Sequence, residues 1–146
     1  MAQPIQAIEA DGPRNRPNTR EKSAGHVLVV DDERLLRWAV AETLAARGFE
    51  VSEAGDAKSA VEALMAPGRP ASLVLLDLYL PDATDLGLLK QIRRCAPAIP
   101  VVLMTAFATP EIVEQAIAAG ALVMPKPFDM DSLSALIERT MPSPAS

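Results

Sequence analysis

Three stretches of the chain, 26–30, 72–76 and 101–105, run for five residues with almost no polar interruption: His-Val-Leu-Val-Val, Ser-Leu-Val-Leu-Leu and Val-Val-Leu-Met-Thr. A strand with one wet face alternates apolar and polar residues, so these unbroken runs predict strands buried on both faces. Such a sheet needs a covering layer on each side, which excludes most architectures at once. The central run leads into Asp77, and Leu80-Pro81 and a turn follow. Burying a lone carboxylate is costly or forces it to protonate, so an acid belongs at the mouth of a strand. In open α/β sheets that mouth is where ligands bind.

The segments between the strands supply the covering layers. Leu36, Val40, Thr43 and Leu44 fall at helical spacing over 33–47, and Gly48 closes that helix as a left-handed cap with Phe49 folding back on it. Residues 49–53 alternate as a short strand. Asp56 is placed to cap a helix over 57–66 with Ala60, Val61 and Leu64 inward, stopped by Pro67-Gly68. A helix over about 84–95 carries Leu86, Leu89 and Ile92 on one face. Thr109-Pro110-Glu111 combines a cap, a first-turn proline and an acid at the positive dipole end. Ile112, Val113, Ala116 and Ile117 are expected to face inward before Gly120 ends that helix. Residues 122–124 form a short strand leading to Lys126-Pro127-Phe128, and Asp129 caps a last helix with Leu133, Leu136 and Ile137 inward. Strand and helix thus alternate five times, with no internal repeat. Strands joined through helices pair in parallel by right-handed crossovers. The prediction is an α/β fold: a flavodoxin-like, doubly wound five-stranded parallel sheet, (βα)5, in the order 2-1-3-4-5.

Composition sets limits on the rest. A chain of 146 residues holds one domain with a proper core and not two. Its net charge of −5 provides no electrostatic footprint for nucleic acid, and no direct nucleic-acid binding is expected. The lone cysteine, Cys95, excludes an internal disulfide framework and fits a reducing compartment. No apolar run is long enough to span a bilayer and the N-terminus lacks a secretion signal, so a soluble cytoplasmic protein without membrane attachment is expected. Residues 1–24, with Pro4, Pro13 and Pro17 and no periodicity, read as a disordered leader, and 142–146 as a disordered tail flanking a domain over 25–141. Arg14, Arg16, Arg20 and Lys22 in the leader are diluted by Asp11 and Glu21 and read as a solvated stretch. His26 is the only histidine, which argues against a histidine phosphodonor or a His-based metal site.

On the predicted sheet the ends of the first, third, fourth and fifth strands converge. They carry Asp31 and Asp32, Asp77, Thr105, and Lys126. Taken singly, each has a bland explanation: a helix cap for either member of the acid pair, a satisfied strand hydroxyl for Thr105, an exposed lysine for Lys126. Together they are harder to dismiss. Three crowded carboxylates repel one another unless a cation joins them, and oxygen ligands suit a hard ion such as Mg²⁺. A carboxylate is also a nucleophile able to form an aspartyl-phosphate, with a hydroxyl and an ammonium to bind the phosphoryl oxygens.

Four stretches in this order, Val29-Val30-Asp31-Asp32-Glu33, Leu75-Leu76-Asp77-Leu78-Tyr79-Leu80-Pro81, Met104-Thr105-Ala106 and Lys126-Pro127-Phe128, resemble the receiver domains of two-component response regulators over about 25–141. Arg37-Trp38 and Leu80-Pro81-Asp82 look most like receivers of the nitrogen-regulator type, on the fold of the chemotaxis regulators. The resemblance implies that Asp77 accepts a phosphoryl group from the phosphohistidine of a sensor histidine kinase or phosphotransfer protein. It implies that Asp32 binds Mg²⁺ directly, Asp31 mostly through water, and that the Tyr79 carbonyl completes the metal site with Asp77. Thr105 and Lys126 would bind the phosphoryl oxygens, and the Lys126–Pro127 bond would be cis. Signalling would pass to a downstream protein through the last two helices and the strand between them. The chain departs from the family at Val123, where an aromatic is usual, in a stretch from Gly120 to Lys126 that is one residue short, and at Asp85, where the turn usually has glycine.

Three functions compete on these residues. The first is a phosphorylation-controlled signalling module with no output domain on this chain, which assists its own phosphorylation but does not turn over an external substrate. The second is a receiver-like docking module that works without phosphate, to which Val123 and the shortened stretch lend support. The third is a small phosphatase or nucleotide hydrolase, which the absence of a Gly-rich phosphate loop disfavours.

Overall fold

The structure is a computed structural model that describes residues 24–141. The leader over 1–23, its basic residues and the tail over 142–146 lie outside the described residues. Ten elements alternate: β1 His26–Val30, α1 Arg34–Ala46, β2 Glu50–Ala54, α2 Ala57–Met65, β3 Leu73–Asp77, α3 Gly87–Cys95, β4 Val101–Thr105, α4 Pro110–Ala118, β5 Ala121–Pro125 and α5 Met130–Thr140. All pairings are parallel and the sheet order is β2-β1-β3-β4-β5, the predicted topology.

The unbroken apolar runs sort by parity onto two cores. Leu28, Val30, Val74, Leu76, Val101 and Leu103 point to the side covered by α2, α3 and α4. Val27, Val29, Leu73, Leu75, Val102 and Met104 point to the side covered by α1 and α5. Every residue of β3 and β4 is buried, as double-sided packing requires.

The helix ends follow the chemistry of their caps. Gly48 adopts a φ of 96°, and the Gly48 N–H donates to the Ala45 carbonyl while Phe49 N–H reaches back to Leu44, both at about 3 Å. Asp56, Thr109 and Asp129 accept from the amides of Ser59, Ile112 and Ser132 respectively.

Several boundaries differ from the sequence-based expectation. Ala24, assigned to the leader, donates its N–H to the Gly48 carbonyl and belongs to the folded body. The helix expected from residue 84 starts at Gly87, because Leu80 and Ala83 close a turn on each other and Asp85 Oδ1 holds the Gly87 N–H at 2.8 Å. Asp77 is the last residue of its strand rather than the first after it, and the second strand runs one residue later than expected. Ile117, expected inward, is 61% exposed: Ile112, Ala116 and Ala119 already occupy the inner line of α4, and a neighbour of Ala116 is turned away by about 100°.

Arg93, a residue without a sequence-based role, staples the α3–β4 loop to the end of α4. Its guanidinium donates to the carbonyls of Ile99, Ala119 (2.7 Å) and Gly120 (3.1 Å), so it also sits at the negative dipole end of α4. Arg93→Ala is expected to lower stability by about 2–3 kcal/mol, read as a lower urea midpoint at unchanged slope. Arg93→Lys should recover little, since an ammonium cannot reach three carbonyls from one planar fork. A midpoint equal to that of the wild type would remove the staple from the account.

Candidate functional site

Parallel strands bring their carboxyl ends to one edge, and the register fixes which ends meet. β1 pairs with β3 and β3 with β4, so Asp31, Asp77 and Thr105 stand at neighbouring strand mouths. Thr105 pairs with Pro125 on β5, which delivers Lys126 to the same edge. The Lys126–Pro127 bond is cis, as expected.

Asp31, Asp77 and Thr105 are buried, at 0%, 6% and 1% exposure, while Asp32 is exposed at the rim. One carboxylate oxygen from each of Asp31, Asp32 and Asp77 lies within 4.8 Å of the others. Lys126 Nζ reaches Asp31 Oδ2 at 3.2 Å, Glu33 Oε1 at 3.1 Å and Asp77 Oδ1 at 3.5 Å, and is the counter-charge of the cluster.

These neighbours set the acidities. Burial pushes the Asp77 carboxyl up to about 6, and the Asp31 carboxylate adds to the rise; the Lys126 ammonium and the Tyr79 N–H pull the other way. For Lys126 burial works downward, but the carboxylates of Asp31 and Asp77 outweigh it and the ammonium is held above its usual range. Asp77 is therefore a poorly solvated carboxylate beside a cation, not a solvated loop charge.

The helix-cap explanation of Asp31 does not describe what it does. Its Oδ1 takes the Glu33 N–H at 2.9 Å, ahead of the helix, and the N-cap of α1 makes no side-chain capping bond. Thr105 Oγ1 accepts the Phe107 N–H at 3.0 Å, which fixes the oxygen and does not commit its hydrogen. Tyr79 stands two residues after Asp77, its N–H 3.4 Å from Asp77 Oδ1. Its ring meets Phe107 edge-on, with centroids 5.5 Å apart, so the two exposed aromatics bridge the rim.

Two contributors carry no site role in the sequence-based reading. Glu33 is a partner of Lys126, and its place directly after the acid pair was the available signal. Arg37, named from the sequence only in the Arg37-Trp38 resemblance, donates to the Asp31 carbonyl at 2.7 Å and to Glu53 at 3.0 Å, bracing the end of β1 against β2. One helical turn after Glu33, it was placed to do so. Val123 lies on β5 among the partly buried residues of the core under α4, on the sheet face that Thr105 shares through Val101 and Leu103.

Comparison with known proteins agrees with this geometry. A family model described as the response regulator receiver domain matches residues 27–138. The DNA-binding transcriptional regulator NtrC of Escherichia coli (strain K12) is 36% identical over 118 residues, 80% of this chain and 25% of that protein. The chain thus spans about a quarter of the length of the NtrC relatives it matches. Among solved structures, the receiver domain of NtrX from Brucella abortus is 38% identical with a TM-score of 0.68, covering 77% of this chain and 95% of that one. A CheY-like receiver domain protein from Methanospirillum hungatei JF-1 has a TM-score of 0.75 at 25% identity, covering 80% and 93%. Acid cluster, hydroxyl and lysine at one edge of a 2-1-3-4-5 sheet, with a family match over residues 27–138, lead to one conclusion: this chain belongs to the response regulator receiver domains, the phosphoryl-accepting modules of two-component signalling.

Proposed function

We propose that Asp77 is the phosphoacceptor of this receiver, that residues 25–141, with Ala24 packed onto them, form the receiver unit, and that the acid cluster holds Mg²⁺ during the transfer. The observation that carries this reading is the buried Asp77 carboxylate between two further acids and a lysine ammonium. The donor set suits the metal: three carboxylate oxygens within 4.8 Å, one of them on a fully buried Asp31, form a hard, oxygen-only cluster whose repulsion a small divalent cation relieves. Asp31, Asp32, Asp77 and the Tyr79 carbonyl would hold it. When bound, Mg²⁺ neutralises charge on the phosphoryl oxygens.

The chain's own residues perform the rest. A carboxylate oxygen of Asp77 attacks the phosphorus of a phosphohistidine on a sensor kinase or phosphotransfer protein; the P–N bond breaks and its electron pair returns to the donor imidazole. Lys126 Nζ, 3.5 Å from Asp77, stabilises the transferred oxygens, and the Thr105 hydroxyl donates to another. The downstream partner would dock on α4, β5 and α5, where Ile117 and Leu122 are exposed at 61% and 43%. Among the described residues no helix is long and apolar enough to cross a membrane. The single, exposed Cys95 fits a cytoplasmic setting. Val123 favours a second reading in which the domain docks a partner independently of phosphate.

Incubation with Mg²⁺ and a small acyl phosphate, followed by intact-mass spectrometry and peptide mapping, tests the proposal. One phosphoryl group on the peptide containing Asp77, absent in excess chelator, is the expected result. No adduct with Mg²⁺ present would transfer the assignment to the docking module, and repeated turnover of the donor would point to a hydrolase.

A further inference from the structure

We infer that Asp82 is a positioning residue for the metal site, holding the Tyr79 carbonyl in place by clamping the β3–α3 turn to the first turn of α2. This rests on the acceptor-site reading above, because the Tyr79 carbonyl is a ligand only if the cluster takes a metal.

The turn after β3 is held at several points. Leu78 and Leu80 are buried in the core under α2 and α3, and the Leu78 N–H donates to the Met104 carbonyl at 3.2 Å. Leu80 and Ala83 exchange backbone hydrogen bonds in both directions, closing a tight loop with Pro81 and Asp82 at its tip. Proline with its fixed φ and aspartate suit those two positions. From the tip the Asp82 carboxylate crosses to another element: Oδ1 accepts the Ala57 N–H at 2.7 Å and Oδ2 the Lys58 N–H at 3.1 Å. Asp56 takes the next amide, that of Ser59.

The free amides at the start of α2 are therefore shared between a local cap and a carboxylate from 25 residues away. Helix capping requires only one such residue near the end of the helix. A second carboxylate at the tip of the turn that carries the metal-site carbonyl does something a cap alone does not, which is to tie the turn to the neighbouring helix of the same layer. Charge-assisted bonds to amides at a helix's positive end are among the stronger available to an exposed side chain. Tyr79 lies between the buried Leu78 and Leu80, three residues before Asp82, so releasing the tip frees the segment on its C-terminal side.

Titration calorimetry with Mg²⁺, with thermal unfolding in chelator and in saturating Mg²⁺, tests this on Asp82→Ala, Asp82→Asn and Asp56→Ala. Both alanine variants lose a cap of the same helix and should unfold at lower temperature in chelator. Only Asp82→Ala is expected to weaken Mg²⁺ binding, by about tenfold, and to shrink the stabilisation that Mg²⁺ gives. Asp82→Asn retains an amide oxygen for one amide and should recover part of the affinity, which also covers poor folding of the alanine variant. Wild-type affinity in Asp82→Ala and Asp82→Asn, or an equal loss in Asp56→Ala, would overturn the inference while leaving the acceptor site standing. A wild-type protein that does not bind Mg²⁺ would overturn both.

Discussion

Asp77→Asn is expected to abolish phosphoryl incorporation and, in chelator, to make the protein more stable at neutral pH. The first effect follows from removing the nucleophilic oxygen pair, since a carboxamide cannot form the acyl phosphate. The second follows from linkage. The Asp77 carboxyl titrates near 6 in the folded protein against 3.8 for the free group, so the folded state binds this proton more tightly than the unfolded state. The Asp77 contribution to metal-free stability should therefore decline as the pH rises from 3.8 through about 6, against the helix-capping acids Asp56 and Asp129, whose lowered acidities act the other way. The full difference is at most about 2–3 kcal/mol, since part of the rise is shared with the neighbouring Asp31 carboxylate. Asparagine does not ionise and removes that slope, while Lys126 keeps Asp31 and Glu33 as partners. Urea unfolding from pH 4 to 8, with intact mass on the same samples, measures both. Undiminished phosphorylation in the variant would mean that another group is the acceptor.

Lys126→Met should have the opposite consequence for stability. The methylene stem survives in outline, but three carboxylates lose the ammonium at 3.1 to 3.5 Å, and the side chains of Asp31 and Asp77 are 1% and 8% exposed. Leaving buried charge uncompensated costs about 3–5 kcal/mol. Because the folded lysine is raised above 10.5, it stays charged throughout the neutral range, and the loss should grow as the pH rises and Asp77 ionises, near 6 with the lysine in place. Mg²⁺ should restore part of it, as the remaining counter-charge, so the variant's metal-induced rise in melting temperature should exceed that of the wild type. Its phosphorylation rate by an acyl phosphate should fall about a hundredfold, with the acceptor still present. A variant as stable as the wild type in chelator would show that water, not Lys126, neutralises the cluster.

Much of this was legible in the chain because double-sided burial leaves an unmistakable pattern. Leu73 through Leu76 and Val101 through Met104 must both be covered, and five alternations of strand and helix then permit essentially one sheet. The strand-end acids, the threonine and the lysine were legible for the same reason, since polar residues directly after such runs have only the sheet's edge to occupy. Caps were equally plain at Asp56, Thr109 and Asp129, where the bond runs three residues along the chain.

What sequence alone did not yield was contact across the chain. Glu33 and Lys126 are 93 residues apart, Arg93 and Ala119 26, Asp82 and Ala57 25, and no local pattern marks any of these pairs. The exposure of Ile117 belongs to the same class, because periodicity places a residue on a helix face while neighbouring elements decide how wide the buried face is. Burial patterns and local hydrogen bonds, which act over a few positions, make the strands, the sheet and the residues at its carboxyl edge readable along the chain. Which carboxylates face the lysine, which arginine braces Asp31 and which turn is tied to α2 emerge from folding, since those depend on distances between side chains that chain order does not encode.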